Sequence, residues 1–402
     1  MTPLDDLLPY DVAAFLKRPA PEQFPGRRPQ QHRFDAPGGT LVHAAVGDAM
    51  SAYLRGGEVA NDGGAFPQSR YTDALAEWAH SEVLQLLGAE SGSTVFGANM
   101  TTLTALFVRA VGPTLRPGDE IVCTGLDHEA NRQPWGTLAD SAGARIRIAE
   151  PRSDGELDTE ELIAQLGPRT RWVAVTAASN ALGVVPDLRA ITQAAHAVGA
   201  RVFVDAVQAT AHQRVDVAAI GCDAVVTSAY KWYGPHLSVL WLSEGLSPDL
   251  LHLAEQVPSA GTTGGAQLTL GTQNHEGIVG LATAAYVLRT WPFEAIHAEE
   301  QRLLRLLVDG LRARPGVRLL ADPTTAARRV PLVAFQLVDQ PVHRTARELA
   351  EQHISVWHGS FYASTALRAV APARPEAVRA GIAAYTTQDD VQALLAGIDS
   401  CL

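Results

Sequence analysis

The chain has 402 residues, of which 47% are hydrophobic and 19% are charged, and its formal net charge at pH 7 is −11. This length exceeds one typical hydrophobic core, so two domains are expected. The acidic balance argues against nucleic acid or an anionic membrane as a partner. Three cysteines, Cys123, Cys222 and Cys401, lie far apart without a CxxC pair. Neither a disulfide framework nor a metal site is therefore predicted.

The N-terminal stretch MTPLDDLLPYD is acidic and lacks the basic-then-apolar pattern of a secretory signal. The longest uncharged run, Trp172–Pro186, is interrupted by polar residues and is too short to span a bilayer. We therefore expect a cytoplasmic enzyme. Residues 1–33 are rich in Pro, Arg and Gln. They are expected to form an irregular segment that packs on the smaller domain, with one short helix near Val12–Lys17.

Strand and helix signals alternate through residues 34–285, which predicts a large α/β domain with a mostly parallel sheet and helices on both faces. A helix begins near Tyr71, and Gly88 is its expected C-terminal stop. Another amphipathic helix runs from Leu188 to Val198 and is closed by Gly199. The predicted strands are Thr94–Phe96, Ile121–Thr124, Arg145–Ile148, Trp172–Thr176, Val202–Val204, Ala224–Val226 and Val239–Leu242.

The pattern changes past Gly280, and residues 286–402 are predicted to form a smaller α+β domain, fused to the first by a helix. Thr387–Asp390 resembles a capping box before the last helix. The other predicted elements are helices at Glu276–Arg289, Glu299–Arg312 and Thr345–His353 and strands at Val317–Leu320 and Val330–Gln336.

Two apolar runs near the middle of the chain end in ionisable residues. Val202–Val204 leads into Asp205, and Ala224–Val226 leads to Lys231. Both runs have the composition of buried parallel strands, and ligands bind at the carboxyl ends of such strands. A lysine amine forms a Schiff base with an aldehyde cofactor, and a carboxylate keeps the pyridine nitrogen of pyridoxal phosphate protonated. The same residues are also compatible with a helix cap and a solvated loop lysine.

The motifs around these residues resemble a known family. Val204-Asp205-x-x-Gln208, followed by Ser228-x-x-Lys231 and Tyr-Gly-Pro, resembles class V aminotransferases and, among them, the cysteine desulfurase branch. SAYKWYGPHL, GTQNHEG and HGSFYA resemble the subfamily of cysteine desulfurase-like proteins, and the similarity runs from about Phe34 to the C-terminus. The resemblance implies the aspartate aminotransferase-like fold of fold type I enzymes, a pyridoxal phosphate cofactor and a homodimer with shared active sites.

The resemblance also implies which residues hold the phosphate. The small-residue turn Asn99, Met100 and Thr101 precedes a helical run, and a helix N-terminus is a ready anion site. An ordinary helix cap would show the same residues. Ser228 and Tyr230 are the two further phosphate ligands that the resemblance implies.

Thr272 matches a family threonine that reaches the phosphate of the neighbouring subunit. A helix cap before Glu276 is the alternative for this residue.

Four further residues correspond to the ring and substrate contacts of the family. His128, in Asp-His-Glu-Ala-Asn, would stack on the cofactor ring and move protons, although a lone histidine after a strand is usually structural. Asn180 would lie near the ring hydroxyl and the substrate carboxylate, and Gln208 near the phenolic oxygen. Arg379 would bind the α-carboxylate of an amino acid substrate, because a guanidinium pairs with a carboxylate through two hydrogen bonds.

The loop that carries the nucleophilic cysteine of cysteine desulfurases corresponds to residues 355–362, which contain no cysteine. Trp357 and Tyr362 in this loop predict either an aromatic, closed pocket or ordinary core packing. The sequence therefore predicts a pyridoxal phosphate enzyme that acts at Cα of a small amino acid, with β-elimination or C–S cleavage as the first choice. Aminotransfer and epimerisation need the same residues. A non-catalytic, cofactor-binding or scaffold relative is the alternative of another class.

Overall fold

The structure, a computed structural model, describes residues 7–8, 10–17, 20–246, 265, 268–321 and 328–402. The strands are β1 (His32–Arg33), β2 (Ser93–Gly97), β3 (Glu120–Thr124), β4 (Arg145–Ala149), β5 (Thr170–Thr176), β6 (Arg201–Asp205), β7 (Ala224–Ser228), β8 (Ser238–Leu242), β9 (Val317–Leu320), β10 (Leu332–Leu337), β11 (Ile354–Ser355), β12 (Trp357–Gly359) and β13 (Ala377–Gly381). The α-helices are α1 (Val12–Phe15), α2 (Ala44–Arg55), α3 (Pro67–Leu86), α4 (Met100–Val111), α5 (Glu129–Ala142), α6 (Thr159–Ala164), α7 (Leu188–Ala197), α8 (Val217–Ile220), α9 (His275–Thr290), α10 (Phe293–Arg312), α11 (Val342–Glu351), α12 (Ser364–Val370) and α13 (Gln388–Cys401).

A seven-stranded sheet in the order β2-β8-β7-β6-β5-β3-β4 forms the centre of the larger domain. Strand β8 runs antiparallel to both β7 and β2, and the other pairs are parallel. This arrangement confirms the predicted α/β fold with a mostly parallel sheet. Strand β7 departs from the prediction of a purely parallel strand, because its second neighbour, β8, is antiparallel. Strands β7 and β8 are both buried along their whole length. Burial does not indicate whether a strand runs parallel or antiparallel to its neighbour.

Helices cover both faces of this sheet because successive side chains of each buried strand point to opposite sides. In β6, Val202 and Val204 belong to one hydrophobic cluster, whereas Phe203 belongs to the other. Phe203 stacks on Phe107 of α4 with ring centroids 5.0 Å apart. Trp135 and Trp172 pack against Phe107 at 6.2 and 5.4 Å. This aromatic group fixes α4 and α5 against the sheet.

The smaller domain contains a four-stranded antiparallel sheet in the order β12-β13-β10-β9. Strand β13 lies inside this sheet, so Arg379 is paired with Ala334 on one side and with Trp357 on the other. The predicted capping box is present: the Thr387 side chain accepts from Asp390 N, and Asp390 accepts from the Thr387 backbone. The predicted boundary at residue 286 falls within the continuous helix α9, and it stays a prediction.

The N-terminal segment contacts both domains. The Phe24 ring packs against Tyr233 of the larger domain at 5.3 Å and against Tyr385 of the smaller at 5.0 Å. Farther along, β1 pairs in parallel with β11 of the smaller domain. The predicted helix is present but shorter, at Val12–Phe15. Residues 1–6, 9 and 18–19 of the segment lie outside the described residues.

No helix in the described part of the chain combines the length and the hydropathy that crossing a membrane requires.

Truncation of the central aromatic group tests this account of the core. Phe107 is fully buried, so Phe107→Ala is expected to lower the free energy of unfolding by about 3–5 kcal/mol. Urea unfolding followed by circular dichroism measures the change. Phe66, which is 51% exposed, is the control, and Phe66→Ala is expected to change stability by less than about 0.5 kcal/mol. Equal effects for the two variants would contradict the assignment.

Candidate active site

A cavity of about 470 Å³ lies at the carboxyl ends of β5, β6 and β7 and is bounded on the other side by residues of the smaller domain. This is the edge of the sheet where ligands of α/β proteins bind. Nine of the predicted site residues line it, namely Met100, Thr101, His128, Asn180, Asp205, Gln208, Tyr230, Lys231 and Arg379.

Lys231 ends the short 3-10 turn that follows β7, and its amine donates a hydrogen bond to the carbonyl of Pro37. The turn is held from the other side by Thr40, whose backbone N–H donates to Tyr230 O at 2.9 Å. Thr40 Oγ1 in turn accepts from Tyr233 N at 2.8 Å. The Lys231 pKa is lowered to about 7, chiefly by burial and also by the Arg379 charge, while Asp205 opposes the shift. The amine is therefore partly neutral at physiological pH.

Asp205 is the last residue of β6, and its side chain is 4% exposed. Its Oδ1 accepts from Val207 N at 2.9 Å, so the local turn supplies one fixed donor. Burial raises the pKa of this carboxyl to about 7, and Asp127 contributes to the rise. The Val207 hydrogen bond and Lys231 oppose it. A positive charge placed against Asp205 would favour the ionised form.

Arg379 extends from β13 into the cavity and is 4% exposed. Its Nη1 donates to the carbonyl of Asn180 at 2.6 Å, and its guanidinium lies 4.3 Å from the centroid of the Phe361 ring. Burial lowers the Arg379 pKa to about 9. The side chain is thus oriented by both domains, with its Nε buried and without a hydrogen-bond partner.

His128 caps helix α5, and its Nδ1 accepts from Ala130 N at 3.0 Å. Burial lowers the pKa of His128 to about 4, and the Lys231 charge adds to this effect. The imidazole is therefore neutral at pH 7. It tilts against the Tyr362 ring, with centroids 5.4 Å apart.

Asp127, a residue that sequence reasoning missed, supports the turn that carries His128. Its carboxyl accepts from Thr124 N at 2.8 Å, from Thr124 Oγ1 at 2.7 Å and from Asn131 Nδ2 at 3.0 Å. Burial raises the Asp127 pKa to about 6, although these hydrogen bonds oppose the shift. Its position directly before the predicted histidine was the available signal.

Helix α4 directs its N-terminus at the cavity, where Met100 and Thr101 contribute to the lining. The first N–H groups of a helix have no intrahelical partner, so they are available to an anion. Asn99 does not line the cavity. Its side chain accepts from Thr102 N at 2.9 Å and is a helix cap, which was the alternative for this residue.

Two other predicted residues do not reach the cavity. Ser228 is fully buried, and its hydroxyl shares a 2.6 Å hydrogen bond with Ser238 Oγ. Thr272 is exposed, and the residue that caps α9 is Asn274. The proposed contact of Thr272 with a neighbouring subunit stays a prediction.

None of the three cysteines lines the cavity. Cys123 and Cys222 are buried, and Cys401 lies in the C-terminal helix α13. Burial raises all three pKa values, to about 12 for Cys222 and about 11 for Cys401. The thiols are therefore protonated at neutral pH. No cluster of three or more potential metal-binding His, Cys, Asp or Glu side chains occurs among the described residues.

Trp357 and Tyr362 line the mouth of the cavity and are 49% and 67% exposed, so core packing does not describe them. Phe361 lies between them in the chain and also lines the cavity. These rings belong to β12 and to the turn that follows it.

Comparisons with known proteins agree with this fold. Residues 32–394 match the family model "Aminotransferase class-V". A cysteine desulfurase from Dickeya dadantii is 32% identical over 342 residues, which is 82% of either chain. An uncharacterized protein from Mycobacterium tuberculosis, MT3887, is 30% identical over 387 residues, covering 91% of this chain and 94% of that protein.

Solved structures show the same fold over nearly the whole chain. The crystal structure of the cysteine desulfurase CsdA from Escherichia coli superposes with a TM-score of 0.85 at 26% identity, covering 97% of this chain and 98% of that one. The apo structure of a cysteine desulfurase from Thermococcus onnurineus gives a TM-score of 0.86 at 24% identity, covering 92% and 94%, and supports the fold alone. The chain belongs to the class-V aminotransferase family of pyridoxal phosphate-dependent, fold type I enzymes, and within it is similar to cysteine desulfurases.

Proposed function

We propose that this chain binds pyridoxal phosphate through Lys231 and cleaves a C–S bond of a small amino acid by β-elimination, without a cysteine of its own. One observation carries the proposal. A single cavity brings together a buried amine, a buried carboxyl and a buried guanidinium, and no thiol lines it. The amine and the carboxyl suit the cofactor, and the guanidinium suits the substrate carboxylate.

The residues of the cavity fit the cofactor. Asn180 Oδ1, Gln208 Oε1 and Arg379 Nε are buried and have no hydrogen-bond partner. Because an unpaired buried polar group costs about 1–3 kcal/mol, a polar ligand that pairs with them is favoured. Asp205 would hold the protonated pyridine nitrogen, and the N-terminus of α4 would hold the phosphate. When bound, pyridoxal phosphate supplies an electron sink for the electron pair left at Cα.

The chain's own groups account for binding and proton transfer. Arg379 would bind the substrate α-carboxylate, and its attachment to Asn180 O and Phe361 fixes the orientation of the Cα bonds. Lys231, with its pKa near 7, is suited to accept the Cα proton and return it. His128 is neutral and stays available as a hydrogen-bonding and stacking group.

The placement of the cysteines favours elimination over sulfur transfer to the protein. The buried Cys123 lies within β3 with its pKa raised well above the usual range, so it is neither accessible nor ionised. Sulfur would leave the cavity on a product instead. Aminotransfer and epimerisation also begin with Lys231 at Cα, and product analysis separates them from elimination.

Reductive labelling tests the role of Lys231. The purified protein with added pyridoxal phosphate is expected to show a visible absorption band, and borohydride should attach the cofactor to the Lys231 peptide in a mass spectrum. Lys231→Ala should lose both signals. Arg305→Ala removes a surface cation and should keep them. Label found on another lysine would contradict the assignment.

The pH dependence of cofactor capture tests the environment of Lys231. Only the neutral amine attacks an aldehyde, and the lysine pKa is lowered to about 7. The rate of capture by cofactor-free protein should rise between about pH 6 and 8 and then level off, whereas an ordinary lysine would continue to about pH 10.4. Stopped-flow absorbance measures the rate.

Two neighbouring charged residues affect the Lys231 pKa in opposite directions, so their substitution provides a matched pair of variants. Arg379 lowers the Lys231 pKa and Asp205 raises it. Arg379→Gln should therefore shift the midpoint of the rate profile upward, and Asp205→Asn should shift it downward. A wild-type midpoint near pH 10, or shifts of the reverse sign, would contradict the proposed geometry.

Product analysis tests the reaction. With cysteine or a cysteine thioether, the holoenzyme is expected to release pyruvate together with sulfide or a thiol. Substitution of all three cysteines by serine or alanine should leave more than half of this activity, because no cysteine lines the cavity. Accumulation of the pyridoxamine form without pyruvate would overturn elimination in favour of aminotransfer. Loss of activity in the cysteine-free variant, with normal folding, would indicate a protein thiol in the reaction.

A further inference from the structure

Three aromatic side chains, Trp357, Phe361 and Tyr362, line the mouth of the active-site cavity and are called the aromatic rim below. Trp357 and Tyr362 are among the most exposed large apolar side chains of the described chain, at 49% and 67%. Exposed aromatic groups on a concave surface that also holds polar anchors are typical of ligand sites. The reaction at Cα does not by itself require them.

Trp357 is fixed against the turn that also holds the lysine. Its Nε1 donates to the carbonyl of Asp35 at 3.1 Å. The indole lies so close to Gly38 that a side chain at Gly38 would overlap it. The carbonyl of the intervening Pro37 accepts from the Lys231 amine. The indole therefore has a defined position beside the reacting amine, although half of its surface is exposed.

Phe361 and Tyr362 are held in an unfavourable backbone conformation. Their φ angles are 57° and 54°, in the left-handed region, which costs a residue with a side chain about 1–2 kcal/mol. Two hydrogen bonds from the larger domain hold this turn: Phe361 O accepts from Asn180 Nδ2 at 2.8 Å, and Tyr362 O accepts from Glu129 N at 2.7 Å. Such strain at a ligand site indicates that the side-chain directions matter for function.

We infer that the aromatic rim is the subsite for the sulfur substituent of the substrate, and that the substrate is a cysteine thioether with an apolar or aromatic substituent. This inference rests on the proposed function. In this arrangement Arg379 binds the substrate carboxylate, and its guanidinium lies over the Phe361 ring. Cα lies beside Lys231, near the turn at Gly38 against which the Trp357 indole packs. The substrate therefore lies between Phe361 and Trp357. Its side chain then meets the rim.

The chemistry of the cavity supports an apolar substituent. Residues 357–362 contain no acidic side chain, so a cationic substituent would find no ion-pair partner there. Among the described residues of the lining, Asp205 is the one carboxylate, and it belongs to the larger domain at the opposite side of the cavity. Free cysteine would leave the rim rings in contact with water, whereas an aryl or alkyl group would cover them.

The reaction balances without an oxidant, a reductant or a protein thiol. The Cα–H bond breaks and the proton passes to the Lys231 amine. The Cβ–S bond breaks and its electron pair leaves on sulfur, which takes up a proton and departs as a thiol. Addition of water and loss of ammonium convert the three-carbon remainder to pyruvate. Overall, a thioether of cysteine and water give a thiol, pyruvate and ammonium.

Binding of unreactive analogues tests the subsite. S-benzyl-2-methylcysteine and S-methyl-2-methylcysteine lack a Cα hydrogen, so the holoenzyme binds them without eliminating the sulfur. Calorimetry should show the benzyl compound binding about tenfold more tightly than the methyl compound, because ring stacking and apolar burial add to its affinity. In Trp357→Ala and Tyr362→Ala the preference should fall to about threefold or less.

Matched variants separate the subsite from general effects. Phe66 is 51% exposed and outside the cavity, so Phe66→Ala should keep the full preference. Trp357→Phe keeps an aromatic ring but loses the hydrogen bond to the Asp35 carbonyl, and it should retain most of the preference for the benzyl compound. Equal affinities of wild type for the two analogues would overturn the inference, and so would an unchanged preference in both alanine variants.

The same design distinguishes a failure of the inference from a failure of the proposed function. Absence of pyruvate from both cysteine and S-benzylcysteine, with the binding preference intact, would refute elimination but support the subsite. Pyruvate released from cysteine and from S-benzylcysteine with equal kcat/KM, and equal analogue affinities, would support elimination but refute the subsite.

Discussion

The burial of Lys231 and Asp205 in one cavity is the constraint on which the rest of the structure depends. Burial raises the Asp205 pKa to about 7 and lowers the Lys231 pKa to about 7, so both charged forms are disfavoured by the fold. For Asp205 the folded pKa exceeds the unfolded value, and stability falls as pH rises from about 4 toward 7. For Lys231 the folded pKa lies below the unfolded value, and stability falls as pH decreases from about 10.4 toward 7. In the proposed function, a cofactor with an aldehyde and a pyridine nitrogen would pair with both groups and so offset these costs.

The other parts of the site surround Lys231 and Asp205 from both domains. The sheet order places β6 and β7 side by side, so Asp205 and Lys231 leave the same edge. The smaller domain then contributes Arg379 from an inner strand, where its pairing with β10 and β12 limits its movement. Hydrogen bonds from Asn180 and Glu129 bring the strained turn of the aromatic rim onto the larger domain. The result is a cavity whose lysine and carboxyl come from the larger domain and whose guanidinium and exposed aromatic rings come from the smaller one.

Much of this was predictable from the sequence, and the exceptions have physical causes. Buried strands show as short apolar runs, and strand–helix alternation indicates a mostly parallel sheet, so the seven predicted strands appear in the large sheet. Strand direction is not encoded in burial, which is why the antiparallel β8 was missed. Helix α5 carries Pro134 and few apolar residues on a regular face, so its periodicity was weak. Ser228 follows the motif but turns its hydroxyl to Ser238, because alternate residues of a strand face opposite sides. The position of Trp357 depends on contact with Gly38, more than three hundred residues away, and local pattern cannot reveal it.

The most direct measurement of the central claim is a crystal structure of the protein grown with pyridoxal phosphate. We predict continuous electron density from Lys231 Nζ into the cofactor, the pyridine nitrogen within hydrogen-bond distance of the Asp205 carboxylate, and the phosphate at the N-terminus of α4. A structure in which the cofactor occupies another site, or lies in this cavity with its pyridine nitrogen turned away from Asp205 and Lys231 unattached, would contradict the account.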